Sequence, residues 1–224
     1  MNKTIELVNH WGEFEQKHPD GSIEDFCRRY LARQHKKTTN GTLVGGVVPS
    51  LNDALLLKII GRISKLTMAY ANIALKGTDL NQIEEFGVLQ TIRKEKNPKK
   101  TEVIYANLFE LSSGTDMLNR MKKRGLIKEY NDKEDKRSKR IELTPKGERV
   151  SEICTVNIEK NATMLMSDLA DDDKELCIQL LKNVEIKFSA LWQKQKGKEF
   201  SEIYRELMKD KKERIAEGRH KSGR

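Results

Sequence analysis

Residues 124–147 read RGLIKEYNDKEDKRSKRIELTPKG, and this stretch decides the fold of the chain. Apolar and polar residues alternate at 127–130 and again at 139–143, which predicts two short strands. The residues between them are mostly charged, so we predict a hairpin whose tip is exposed to solvent. A basic hairpin of this kind suits contact with a polyanion such as DNA.

Two predicted helices precede this hairpin. We expect Thr101 to cap a short helix that runs to about residue 109, and Ser112 to begin the next helix, which runs to about Arg124. Gly125 follows it, as glycine often does at a helix end. The order helix, turn, helix and hairpin predicts a winged helix-turn-helix. In that fold the second helix enters the major groove and the hairpin, or wing, reaches the flanking backbone or minor groove.

Long helices are predicted on both sides of this unit. Apolar residues recur at helical spacing over residues 51–76, 81–96 and 171–191, and Thr144-Pro145 begins a helix that extends to about residue 169. The terminal helices carry more apolar surface than one small domain needs. This excess indicates that two copies of the chain pair through these helices.

The fold class is therefore mainly α (α+β), with three parts. We predict a helical N-terminal extension and linker at residues 1–47, a winged-helix domain with dimerisation helices at 48–197, whose wing is 127–143, and a basic helical tail at 198–224. In the extension, a turn at 18–21 separates two helices, and Trp11 and Phe14 are interpreted as packing residues. The four histidines are dispersed and are expected on the surface.

Charge is concentrated around the wing. The chain has a net charge of +9, and residues 93–149 alone hold 17 Lys and Arg against 10 Asp and Glu. A second basic region covers residues 193–224, with 11 against 6. Such a surface attracts phosphate, so a nucleic acid is the expected partner.

Other functional classes lack support in the sequence. The three cysteines form no paired or metal-ligand spacing, so we expect no metal and no cofactor, although Cys27 beside Arg28 remains open as a redox-sensitive thiol. No apolar run is long enough for a membrane span, which predicts a cytoplasmic protein without membrane contact. No catalytic constellation or phosphate-cradling glycine loop is present, so the chain is interpreted as a binding protein and not an enzyme.

Residues 132–147 also resemble the wing signature of the MarR family of transcriptional regulators. That signature is an Asp-x-Arg pair followed by an alternating strand that ends Leu-Thr-x-x-Gly. The matching positions here are Asp135, Arg137, Leu143, Thr144 and Gly147. Arg120 and the run Arg124-Gly125-Leu126 are similar to the end of the family's recognition helix, and the resemblance extends over roughly residues 51–191.

The resemblance implies roles for these residues. Arg137 would be the wing-tip arginine near the minor groove, and Asp135 would help to hold it. The terminal helices would form a two-fold dimer that addresses a pseudo-palindromic site. Such proteins are typically repressors, and some are released by a small-molecule ligand bound between the dimerisation and DNA-binding regions.

Candidate DNA contacts lie before, on and after the recognition helix. They comprise Lys99, Lys100, Ser112, Ser113, Thr115, Asp116, Asn119, Arg120, Lys123, Asp135, Lys136, Arg137, Lys139 and Arg140. Each has a simpler interpretation. The hydroxyl groups could serve simply as helix caps, and the basic residues could simply be solvated charges.

Two residues of this helix depart from the family pattern. Asp116 could read a cytosine amino group or repel phosphate. Gly114 could permit close approach to DNA or be a local weakness of the helix.

The leading hypothesis is a dimeric, sequence-specific transcriptional regulator, most simply a repressor of a pseudo-palindromic operator. One alternative is a non-specific architectural nucleic-acid-binding protein that uses the wing and tail only electrostatically. Another is a protein-interaction scaffold whose winged helix has lost DNA binding, which Gly114 and Asp116 keep open.

Overall fold

The structure is a computed structural model that describes residues 2–38 and 48–209, without the side chains of residues 35–38. The central part of the predicted linker, 39–47, and most of the predicted tail, 210–224, lie outside the described residues. The chain divides into two compact units, Met1–Leu57 and Lys58–Arg224. The three-part division proposed from the sequence stays a prediction.

The first unit contains a helical hairpin. Helix α1 spans Lys3–Lys17 and α2 spans Ile23–Thr38. Ser22 starts α2 as expected, because its hydroxyl accepts the N–H of Asp25 at 3.1 Å while the Asp25 carboxylate accepts the N–H of Ser22 at 3.2 Å. Trp11 packs against Phe26 with ring centroids 5.2 Å apart, so its predicted packing role is confirmed.

The second unit has six helices, two strands and a helical segment at residues 200–209. The elements, in chain order, are α3 Asn52–Ala74, α4 Ile83–Glu95, α5 Lys100–Ala106, α6 Leu111–Lys123, β1 Ile127–Asn131, β2 Lys139–Leu143, α7 Pro145–Leu165 and α8 Asp171–Gln195. The α3 helix begins in the first unit. The order of elements is the one predicted for a winged helix-turn-helix.

The two strands form the wing. They pair antiparallel, with Ile127 opposite Leu143 and Asn131 opposite Lys139. The turn before α5 joins this sheet, because the Pro98 carbonyl accepts the N–H of Ile141 at 3.0 Å. Backbone bonds therefore fix the wing to the start of the helix-turn-helix.

An apolar core of the second unit lies between the wing and the helices α4–α7. Its fully buried side chains include Leu89 of α4, Ile104 of α5 and Met121 of α6, with Ile141 from the wing and Cys154 from α7. Because one core holds all these elements, the orientation of α6 is set by the packing of its buried face against them.

The first helix of the helix-turn-helix, α5, starts two residues earlier than predicted. Its N-cap is Lys99 rather than Thr101, since the Glu102 carboxylate accepts the Lys99 N–H at 2.7 Å and closes the first turn. The helix also ends sooner, at Ala106, and Leu108 takes a φ of +56° in the turn that follows. The second helix, α6, ends at Arg124 as its C-cap, and Gly125 follows at a φ of +72°.

Gly114 faces the core and not DNA. A Cβ at this position would lie 2.8 Å from Cγ2 of Ile104 on α5. The suggestion that Gly114 permits close approach to DNA is therefore wrong: the residue allows α5 and α6 to pack closely.

Replacing Gly114 with alanine should destabilise the protein. The added methyl group must displace a fully buried isoleucine, and overpacking of a core typically costs about 1–3 kcal/mol. Urea unfolding followed by circular dichroism measures the change. Gly61→Ala is the control, because a Cβ at this position on α3 has no neighbour within 4 Å. Equal or greater stability of Gly114→Ala would contradict the packing role.

Candidate nucleic-acid interface

The α6 helix separates its residues into a core face and a solvent face. Met117, Leu118 and Met121 are buried. The predicted contact residues on the other face are exposed: Ser112, Ser113, Asp116, Asn119, Arg120 and Lys123, while Thr115 is half-buried. Within the described part of the chain, the side chain of Arg120 has no hydrogen-bond or ion-pair partner. The exposed face thus offers hydroxyl, amide and guanidinium groups to a ligand.

The first turn of α6 leaves its serines accessible. The N-cap residue is Glu110, whose side chain makes no capping bond. Ser113 Oγ donates to the Glu110 carbonyl at 3.2 Å, so this hydroxyl is partly occupied. Neither serine caps the helix in the sense first considered, because both lie inside its first turn.

A buried ion pair fixes the end of α6. Arg124 Nη2 lies 2.5 Å from Glu85 Oε1 on α4, and Arg124 Nη1 donates to the Asp79 carbonyl at 2.5 Å. Glu85 is 1% exposed, and its second oxygen accepts the Asn81 N–H at 2.8 Å. The basic residue at the exit of this helix therefore holds α6 against α4.

Glu129 on the wing binds two lysines from the helix-turn-helix. Its carboxylate lies 3.5 Å from Lys100 Nζ of α5 and 3.0 Å from Lys122 Nζ of α6. Burial alone would raise the pKa of Glu129, but the bonds and charges of Lys122 and Lys100 outweigh it and lower this pKa. Lys100, predicted to contact DNA, has an intramolecular partner. The triad sets the position of the wing relative to α6.

Asp132 organises the turn at the tip of the wing. Its Oδ1 accepts the N–H of Glu134 at 2.8 Å and of Asp135 at 3.1 Å, and its Oδ2 pairs with Arg140. The backbone bonds, with help from Arg140, lower the pKa of Asp132 to about 2. Arg140 also donates to the Asn97 carbonyl at 2.8 Å. The Arg140 guanidinium therefore ties the wing to the turn before α5, and it is not the free, solvent-facing cation that was predicted for a DNA contact.

Asp135 holds the backbone near Arg137 and not its side chain. Its carboxylate accepts the Arg137 N–H at 3.1 Å and the Ser138 hydroxyl at 2.6 Å, and these bonds lower its pKa. Nearby, Lys139 Nζ donates to Asn131 Oδ1 across the strands. The expected Asp135–Arg137 side-chain pair is thus replaced by a turn that leaves the arginine side chain exposed.

Three basic side chains are left at the tip. Lys133, Lys136 and Arg137 are exposed, and none of these side chains has a hydrogen-bond or ion-pair partner among residues 2–38 and 48–209. Lys99 is half-buried, and its backbone forms an isolated antiparallel β-bridge with Arg140 at the edge of the sheet. The wing therefore presents exposed cations at its tip, while hydrogen bonds and ion pairs hold its strands in place.

The low pKa of Asp132 predicts loss of wing stability in acid. The folded-state pKa of about 2 lies below the ordinary value of 3.8, so the carboxylate stabilises the fold above about pH 4 and this contribution is lost as pH falls to about 2. Urea unfolding between pH 5 and 2 measures it. The Asp132→Asn variant should show a weaker pH dependence in that window; an unchanged dependence would contradict the assignment.

Sequence patterns missed the residues that hold this surface in place. Glu85, Glu129 and Asp132 each organise part of the site, and none was singled out. A signal existed only for Asp132, since an aspartate at a strand end often accepts backbone N–H groups two and three residues later. The ion pairs of Glu85 with Arg124 and of Glu129 with Lys100 join residues 39 and 29 positions apart, which no local pattern reveals.

The sequence and the fold of this chain are similar to those of known DNA-binding proteins. Residues 83–147 match the family model described as a winged helix DNA-binding domain, which is less than half of the chain. PcaV, a transcriptional regulator from Streptomyces coelicolor solved with its natural ligand, superposes with a TM-score of 0.52 at 20% identity, over 63% of this chain and 97% of that one. A cysteine mutant of MarR from E. coli complexed with operator DNA gives 0.55 at 24% identity, over 61% and 98%.

The chain has the MarR-type winged-helix fold. A MarR-family regulator from Rhodococcus sp. RHA1 agrees, with a TM-score of 0.55 at 17% identity over 61% of this chain and 96% of that one. No curated protein matches the sequence. The predicted MarR-type fold class is thereby confirmed. The matched family segment begins at Ile83, so the α1–α2 hairpin lies outside it.

Membrane spans and metal clusters are both absent from the described residues, 2–38 and 48–209. None of their helices combines the length and apolar character needed to cross a membrane. No group of three or more His, Cys, Asp or Glu side chains among them is arranged to hold a metal ion.

Proposed function

We propose that this protein is a dimeric, sequence-specific DNA-binding regulator of transcription that acts in the cytoplasm. The observation that carries the proposal is that the basic side chains around α6 and the wing fall into two groups, one paired within the protein and one exposed. Carboxylates bind four of these cations: Lys100, Lys122, Arg124 and Arg140. The remaining basic side chains of α6 and the wing tip, such as Arg120 and Arg137, face solvent without a partner among the described residues. Side chains without internal partners on a braced surface are available to phosphates and base edges.

The proposed contact surface is narrower than the sequence suggested. Base contacts are assigned to the exposed face of α6, and backbone contacts to its basic end and to the wing tip. The assigned residues are Ser112, Ser113, Asn119, Arg120, Lys123, Lys136 and Arg137. Asp116 lies on the same exposed face, where it would accept from a cytosine amino group or reject other bases.

Dimerisation is proposed from the apolar surface of α8. Among its 25 residues none is buried, and Leu180, Val184 and Phe188 are 59%, 52% and 47% exposed. These three residues lie four apart, on one stripe of the helix. A continuous apolar stripe of this length marks an interaction surface, and a second copy of α8 would cover it.

We further propose that the regulator is a repressor released by a small-molecule ligand. Support comes from a groove of about 290 Å³ between α3 and α7, lined by Tyr70, Ile73, Asn161 and Met164 among others. Asn161 is 5% exposed, and its Oδ1 accepts no hydrogen bond from the described residues. A ligand that donates to this oxygen would satisfy it.

The ligand proposal can be tested on a protein–DNA complex. Fragments that lower the anisotropy of labelled DNA should lose their effect in the Asn161→Leu variant, because the leucine removes the acceptor. Fragments that release DNA equally from both proteins would contradict the groove assignment.

Competition separates the proposed function from a non-specific architectural role. A DNA selected by the protein should remain bound in excess random DNA, with a preference of at least about 10³-fold at physiological salt. An architectural protein would show equal affinity for both DNAs. A scaffold without DNA binding would show affinity for neither.

A further inference from the structure

The helical hairpin α1–α2 contains a concave groove that the proposed DNA contacts do not use. Its volume is about 560 Å³, within the range of small-molecule sites. Both walls come from the hairpin itself, with Phe14 and Lys17 from α1 and Phe26 and Arg33 from α2. The groove is thus complete within the first unit and requires no other part of the chain.

Cationic side chains predominate around the groove. Residues 2–38 are nearly balanced, with seven Lys and Arg against six Asp and Glu. The groove is lined by Lys17, Arg29 and Arg33 but by a single carboxylate, Glu13. The neighbouring Arg28 points elsewhere, since it pairs with Glu24 at 3.2 Å. The hairpin therefore concentrates positive charge in its concave side.

Arg29 is held in a defined position there. Its Nη1 lies 2.9 Å from His18 Nε2, and its guanidinium carbon lies 6.0 Å from the centre of the Phe14 ring. Lys17 and Arg33 have no ion-pair partner among the described side chains. A guanidinium fixed on an aromatic ring loses little freedom when it binds a carboxylate or phosphate, and its planar fork matches both groups.

Aromatic rings form the apolar part of the wall. Phe14 is 8% exposed and packs against Phe26 and His18, and the His10 ring lies 5.3 Å from Tyr30. Gly21 leaves room for the Phe14 ring, because a Cβ there would lie 2.6 Å from Cζ. Flat rings beside fixed cations favour a ligand that has a flat ring and an anionic group.

We propose that the α1–α2 groove binds a small organic anion, a ring that carries a carboxylate or phosphate. The anionic group forms hydrogen bonds with Arg29, and the positive charges of Lys17 and Arg33 help to neutralise it. The ring lies against Phe14 and Tyr30. This site is independent of the proposed DNA-binding function, because binding there is measured without DNA.

Calorimetric titration of the full chain tests the site. Benzoate and phenyl phosphate separate the two anionic groups, and at least one should bind with one site per chain. Inorganic phosphate lacks the ring and benzylamine carries the wrong charge, so both should bind at least about tenfold more weakly. No binding of either ring anion at millimolar concentration would overturn the proposal.

Variants then assign the binding to the groove. Arg29→Ala should weaken the ring anion at least about tenfold, and Arg29→Lys should be intermediate because it keeps the charge without the fork. Glu13→Gln should strengthen binding by removing the opposing charge. Arg28→Ala is the matched control, since it removes one arginine of the same helix outside the groove.

Several outcomes contradict the assignment. Equal losses in Arg28→Ala and Arg29→Ala would show a non-specific charge effect, and weaker binding in Glu13→Gln would place the anion elsewhere. Circular dichroism of each variant confirms that the helices are retained. If Arg29→Ala lowered DNA affinity while no ring anion bound to the unaltered protein, the groove would be a nucleic-acid contact and the proposal would be overturned.

Discussion

Val184→Glu should convert the protein to a monomer and weaken its binding to a two-half-site DNA at least about 100-fold. Val184 is 52% exposed on the α8 stripe, where a second copy would bury it, and a buried unpaired carboxylate strongly opposes association. Without the dimer, each half-site contact must form separately, and the gain from linking two sites is typically about 10²–10⁴-fold. Light scattering gives the mass, and fluorescence anisotropy gives the DNA affinity.

Lys182→Gln is the control for Val184→Glu. It changes the net charge by the same amount and lies two residues earlier, roughly on the opposite side of the helix. This variant should remain dimeric and bind DNA with nearly unchanged affinity. A dimeric Val184→Glu protein with full DNA affinity would show that α8 is not the interface.

Arg137→Ala should reduce affinity for the selected DNA by about 10- to 100-fold, which corresponds to about 1–3 kcal/mol. The Arg137 side chain extends from a turn that Asp132 and Asp135 hold in place, and no described residue competes for its guanidinium. Truncation should leave the fold intact, because the exposed side chain has no hydrogen-bond or ion-pair partner among the described residues. Anisotropy at several salt concentrations should also show a shallower salt dependence, as expected when one phosphate contact is lost.

Arg93→Ala controls for the lost charge. Arg93 is an exposed arginine that pairs with Glu152 at 3.9 Å, away from α6 and the wing in the sequence. Its loss should change DNA affinity by less than about threefold, the scale of an exposed ion pair. Equal effects of the two substitutions would mean that net charge, and not the wing tip, governs binding.

The fold was predictable because its signals are local. Alternating residues at 127–130 and 139–143, Gly125 after a helix and Thr144-Pro145 before one each specify backbone structure over a few residues. The strands formed at Ile127–Asn131 and Lys139–Leu143, within one residue of the prediction. Such patterns act through periodicity and capping, which the chain order alone reveals.

The roles of individual side chains depended on contacts that the chain order does not reveal. The sequence predicted Lys100 as a phosphate contact, whereas in the structure its ammonium group binds Glu129, 29 residues later. Gly114 looked like a weakness in a DNA-reading helix, although its role is to accommodate Ile104. Likewise His18 and Arg29 are 11 residues apart and meet only because two helices form a hairpin. Tertiary packing decides which charged groups remain available to a ligand.

Selection of bound DNA from a random library tests the central claim most directly. A dimer that inserts two α6 helices should enrich one pseudo-palindromic sequence, with half-sites about one helical turn apart. The enriched sequence should lose its advantage when the selection is repeated with Arg120→Ala, since Arg120 is assigned to base contacts on the exposed face of α6. A library that shows no enrichment after repeated rounds would contradict sequence-specific DNA binding by this protein.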